Sequence, residues 1–73
     1  MPLRPLPYRE VKRRLEAAGF TIVSQQGSHV KFGRLEITGR RSVTVPAHSE
    51  LLIGTPGGIL RQADISPEEF EKL

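Results

Sequence analysis

"HVKFGRLEITGRRSVTVP", residues 29–46, decides how this chain folds. Val30 and Phe32 alternate with His29 and Lys31, and Val43 and Val45 alternate with Ser42 and Thr44. Alternation at every second residue marks a half-buried strand. The segment reads as two antiparallel strands, "HVKFGRLEI" and "SVTVP", joined by a turn at Gly39-Arg40-Arg41 and ended by Pro46. Val30, Phe32, Val43 and Val45 then belong to a covered sheet face. His29, Lys31, Ser42 and Thr44 belong to the open one.

Working outward, "FTIVSQ" (residues 20–25) is rich in β-branched residues and reads as a first strand, turned into the second by Gln26-Gly27-Ser28. Ile22 and Val23 are adjacent, so both cannot point inward; Ile22 is assigned to the core. Ahead of this strand Tyr8, Val11, Leu15 and Ala18 recur at helical spacing, with Arg9, Lys12, Arg13 and Glu16 on the other faces. Pro7 suits the first helical turn and Gly19 the position just past the end. Residues 1–7, with three prolines, form an extended lead-in.

After the third strand, Thr55-Pro56 reads as an N-cap and first-turn proline, with Ile59, Leu60 and Ala63 as the buried stripe. Gly57 and Gly58 each cost about 1 kcal/mol of helix propensity against alanine, so that helix is short. Ser66-Pro67-Glu68-Glu69 has the spacing of a capping box, opening a last helix to the C-terminus with Phe70 and Leu73 inward. The fold class is α+β: one domain over residues 1–73 in the order α-β-β-β-α, with a short extra C-terminal helix. Its three-stranded antiparallel sheet carries helices on one face. The expected core is Val11, Leu15, Phe20, Ile22, Val30, Phe32, Val43, Val45, Ile59 and Leu60.

A chain of 73 residues buries only about 60% of the surface its unfolded form exposes, so its stability is modest. Without cysteine it has neither a disulfide framework nor a thiolate metal site. No apolar run approaches the roughly 20 residues that span a bilayer. The start, "MPLRPLPYRE", lacks the apolar stretch of a signal peptide. The expected location is the cytoplasm. Residues 1–41 hold nine Lys or Arg against Glu10, Glu16 and Glu36, a balance of +6, whereas residues 42–73 carry −3. A basic half of this kind suits a polyanionic partner. It also suits a merely solvated surface.

Why, then, a histidine straight after a Gly-Ser turn? The Gly27-Ser28 turn lets a polyanion approach the backbone, and Lys31 shares the face of His29. Histidine exchanges protons near neutral pH, its ordinary pKa being about 6.5. These are the requirements for moving a proton beside a phosphodiester. Lys31, Arg34, Arg40 and Arg41 are the candidate phosphate contacts. Four such contacts predict a log affinity that falls with log salt at a slope of roughly −3. A lone strand histidine also has a structural reading, and so does His48, a polar residue after a proline.

"GSHVKF" (27–32), "VTVPAH" (43–48) and "ELLIGTPGGILRQADISPEEF" (50–70), behind a helix ending in "AAGF", resemble the HicA (YcfA-like) family of bacterial toxins. The likeness runs from about Tyr8 to Phe70. It implies an mRNA interferase with a fold like that of double-stranded-RNA-binding domains. The family's functional histidine, which follows the Gly-Ser pair, falls on His29. The resemblance also implies a HicB-type antitoxin as partner, and Val45-Pro46-Ala47-His48 matches the family's third-strand ending. One departure is the run Pro56-Gly57-Gly58, where the family continues with leucine and polar or basic residues.

The chemistry so implied needs no metal and no cofactor. RNA carries its own nucleophile, the 2′-hydroxyl, beside the scissile phosphorus. His29 is the candidate base or acid, Lys31 its electrostatic partner, and His48 a second proton-transfer group or a polar loop residue. A His29/His48 metal site has no carboxylates at evident spacing. Two rivals stay open. One is a non-catalytic RNA-binding module, against which stands the absence of lysine in Thr55-Pro56-Gly57-Gly58. The other is a protein-binding partner whose basic half docks an acidic surface.

Overall fold

Helix α1 (Tyr8–Ala17) starts directly after Pro7, which stands at the N-cap rather than inside the first turn. The Pro7 carbonyl accepts the N–H groups of Glu10 and Val11 at 3.0 and 3.1 Å. At the other end Gly19 takes φ +97°, its N–H donates to Glu16, and the Phe20 N–H donates to Leu15, each at 3.0 Å. This paired closure satisfies the last carbonyls and brings buried Phe20 back to Leu15. The structure is a computed structural model and describes residues 5–47, 50–54 and 58–73.

Three strands follow: β1 (Thr21–Gln26), β2 (His29–Glu36) and β3 (Gly39–Pro46). They form one antiparallel sheet in the order β1-β2-β3, as the alternation implied. Val30 pairs with Val45 and Phe32 with Val43, so the apolar residues share the helix-covered face. Gly27, with φ +56°, heads the Gly27–Ser28 loop between the Gln26–His29 pair, the placement a tight hairpin favours.

Two expectations about the sheet change. The turn placed at Gly39-Arg40-Arg41 belongs to β3: the reversal is made by Ile37 and Thr38, and Arg40 and Arg41 pair with Leu35 and Arg34. Gly39, at φ +133°, adopts a backbone that side chains resist, so the ladder continues through the glycine. The second change is Ile22, which is 42% exposed rather than buried. A bulge at Val23 shifts the β1 register between Ile22 and Ser24, and β1 is exposed along its whole length. The helical layer covers β2 and β3 and leaves this edge strand outside.

Helices α2 (Ile59–Ala63) and α3 (Pro67–Glu71) close the covered face. The expected caps Thr55 and Pro56 lie outside the described residues; the helix begins at Ile59 with Gly58 in the N-cap position. For α3 the expected cap is Ser66, whose hydroxyl accepts the Glu69 N–H at 3.1 Å and donates to Glu69 Oε1 at 3.3 Å. The core joins Val11, Leu15, Phe20, Val30, Phe32, Val43, Val45, Leu51, Ile53, Ile59, Leu60, Ala63, Ile65 and Phe70. Leu73 packs partly against it. Leu6, just ahead of α1, is pinned as well, since Leu6 and Leu51 exchange backbone bonds of 3.0 and 2.7 Å. No helix among the described residues is long and apolar enough to cross a membrane.

Glu10 ties α1 together and holds its guanidiniums toward α3. It accepts from Arg13 and, at 2.8 Å, from Arg14, whose Nη1 donates to the Phe70 carbonyl at 3.0 Å. Hydrogen bonds from Arg13 and then Arg14 outweigh burial and lower the Glu10 carboxyl from 4.5 to about 2. The unfolded chain takes up this proton at higher pH. The contribution is therefore whole above about pH 4.5 and is lost as the pH falls toward 2. Glu10→Gln is expected to lower the Tm at neutral pH and to flatten its fall through that acid window. Parallel Tm–pH curves for the two proteins would reject this role.

Candidate functional site

His29 opens β2 immediately after the Gly27–Ser28 loop and is exposed, as its place in the alternation requires. Its neighbours across the sheet are Gln26 on one side and Pro46 on the other. Lys31 lies two residues along the same face, about 6–7 Å away at strand rise, between Ser24 and Thr44. The Ala47 N–H donates to the Ser28 carbonyl at 2.6 Å, tying the end of β3 to the loop before His29. No heavy atom lies within 4 Å of where a Gly27 Cβ would stand, so that backbone is open to a ligand.

Next on this face comes Gly33, where a Cβ would stand 3.1 Å from Val23 Cγ1 and 3.8 Å from Arg40 Cδ. Val23 thus covers the strand glycine from the β1 side, and the Arg40 stem reaches it from β3. Ile22 pairs with Phe32 on the covered side and Val23 faces the open one, which answers the conflict between them; the bulge then keeps Ser24 on the open face as well, opposite Lys31. His29, Lys31 and Arg40 therefore share one surface with Ser24, Ser42 and Thr44. Among the described strand positions of this face no carboxylate appears.

Arg34 and Arg41 stand on the other face. Arg34 lies over the Phe20 ring at 4.5 Å, donates to the Ala18 carbonyl at 2.9 Å and meets Glu36 at 2.7 Å. Arg41 meets the same Glu36 oxygen at 2.8 Å and reaches the Gln62 carbonyl at 3.4 Å. Hydrogen bonds from Arg34, then Arg41, lower the Glu36 carboxyl pKa against the opposing effect of burial. The two arginines, expected among the phosphate contacts, are spent on joining the hairpin to α1 and α2. The signal was available: Arg34 continues the parity of Val30 and Phe32, and Arg41 that of Val43 and Val45.

His48 lies outside the described residues. Among the described residues no group of three or more His, Cys, Asp or Glu is gathered so as to hold a metal.

The family described as "HicA toxin of bacterial toxin-antitoxin" matches residues 8–65 of the 73-residue chain. The chain belongs to the HicA toxin family. The match spans α1, the whole sheet and α2, and therefore includes the His29–Lys31–Arg40 surface. HicA proteins are toxins of toxin-antitoxin systems and are paired with an antitoxin. The layout of one helix, three antiparallel strands and closing helices agrees with the double-stranded-RNA-binding-like fold expected for HicA. No curated protein and no solved structure matches the chain.

Proposed function

We propose that this HicA toxin is a metal-independent endoribonuclease that cuts single-stranded RNA, with His29 as its proton-transfer group. One observation carries the reading: an exposed histidine, an open glycine turn and Lys31 and Arg40 share a carboxylate-free sheet face. In the reaction the 2′-oxygen bonds to phosphorus and gives up its proton to a base. The P–O5′ bond breaks, the leaving 5′-oxygen takes a proton, and a 2′,3′-cyclic phosphate remains. His29 supplies one of the two transfers, Lys31 lowers the energy of the phosphorane-like charge, and Arg40, farther along the same face beside Gly33, holds a neighbouring phosphate of the strand. Gly27 and Ser28 admit the backbone. A HicB-type antitoxin holds the toxin in check in the cytoplasm, where mRNA is the substrate.

The test is cleavage of labelled single-stranded RNA in EDTA. Cutting persists there and stops on RNA carrying 2′-O-methyl at the scissile position. Equal cutting of DNA, or binding without any cutting, would sink the proposal; the second result would favour an RNA-binding module.

The division of the arginines has its own consequence. With Lys31 and Arg40 as phosphate contacts, log affinity against log salt has a slope of about −1.4 for single strands. Arg40→Ala is expected to reduce that slope by about 0.7 and leave the Tm nearly unchanged. Arg34→Ala does the opposite: the Tm falls while the slope stays. Titrations at several salt concentrations, paired with thermal melts, separate the two roles.

A further inference from the structure

The free edge of β3 borders a groove of about 420 Å³ that the ribonuclease reading leaves without a role. This volume falls within the roughly 300–1,000 Å³ of small-ligand pockets. Its lining includes Thr44, Pro46, Glu50, Leu52, Ile59 and Gln62. Thr44 is the cross-strand partner of Lys31 and Pro46 that of His29. The groove therefore begins one strand away, about 5 Å, from the row that would face the scissile phosphate. A nucleotide attached to that phosphate has its base within reach of it.

The lining chemistry suits a base better than a phosphate. Leu52, 66% exposed, and Pro46 offer apolar surface for the flat face of a ring. Glu50 brings a negative charge that repels phosphate, and among the described residues it has no ion-pair partner. An ionised carboxylate is acceptor-only, with two oxygens side by side. On the Watson–Crick edge guanine presents two adjacent donors, N1–H and the 2-amino group. Adenine and cytosine set a single amino group beside a ring acceptor, and uracil flanks its one N–H with two carbonyls. The Gln62 side-chain oxygen accepts the Thr44 N–H at 2.9 Å, which fixes that amide along the groove.

From this we propose that the β3-edge groove is a guanine pocket beside the scissile phosphate, with Glu50 accepting from N1–H and the 2-amino group. The inference rests on the ribonuclease reading and gives that site its base preference. Unpaired bases are commonly read in this way, on their Watson–Crick edge.

The test is fluorescence-anisotropy binding by the full chain carrying His29→Ala, so that nothing is cut. The probes are uridine hexamers bearing a single G, A or C. One G is expected to tighten binding about tenfold, within the range of a bidentate base contact. Inosine, lacking the 2-amino group, recovers only part of that gain; 7-deazaguanosine, with its Watson–Crick edge intact, recovers all of it. Adding Glu50→Gln abolishes the advantage of G and slightly tightens U-only binding, because a negative charge has gone. Glu68→Gln removes the same charge from α3 and keeps the preference. Equal binding of all hexamers, or a G preference that survives Glu50→Gln, overturns the pocket. If the hexamers bind and the native chain cuts them without regard to G, the pocket fails alone. If none binds or is cut, the ribonuclease reading fails and takes the pocket with it.

Discussion

RNA cleavage is expected to fall by about 10²- to 10⁴-fold when His29 is replaced by alanine, the usual share of one acid-base group. The fold should be unaffected. His29 is exposed on the open sheet face, and surface substitutions of this kind stay within about 0.5 kcal/mol. RNA affinity should also change little, because Lys31 and Arg40 remain on the same face. The combination is the point: chemistry is lost while binding and Tm persist. Toxicity on expression in bacteria should disappear with the same substitution. A His29→Ala protein that cuts at the native rate would make this histidine structural. If His48→Ala then abolished cutting, the proton-transfer role would pass to His48.

Much of this arrangement is legible in the alternation of residues 29–46. Once Val30 and Phe32 are inward, His29 and Lys31 must be outward, because slipping by one residue would exchange the faces. Carried two residues further, the same rule sends Arg34 inward, where it stacks on Phe20. Charge obscured that step, since an arginine in a basic half reads as a nucleic-acid contact. Only the geometry shows that the guanidinium is satisfied by the Ala18 carbonyl and Glu36. Ile22 went astray for a different reason. It pairs with Phe32 and keeps the inward parity, but β1 is an edge strand that the helical layer leaves uncovered, and that leaves no mark on the hydrophobic pattern. The β3-edge groove was invisible altogether. It is assembled from β3, Glu50, Leu52 and α2, which sequence separation conceals and tertiary packing unites.

Phe32→Ala is expected to have the largest effect on stability. The ring sits at the middle of β2, fully buried, paired across the sheet with Val43 and surrounded by the core of helical residues. Truncating a buried phenylalanine costs about 3–5 kcal/mol, from lost transfer energy and from the cavity left behind. A chain of this length has a total of only about 4–11 kcal/mol to lose. Each kcal/mol shifts the Tm of such a domain by about 4–8 °C, so the melt should move down by at least about 12 °C. Leu35→Ala, on the same strand but 79% exposed, should leave the Tm nearly where it was. Followed by circular dichroism, the pair isolates burial from residue type. A Phe32→Ala protein that melts with the native one would mean that this face of β2 is not the core. Its loss of toxicity would accompany unfolding, whereas that of His29→Ala occurs in a folded chain, so the two variants together separate what the sheet holds up from what it presents.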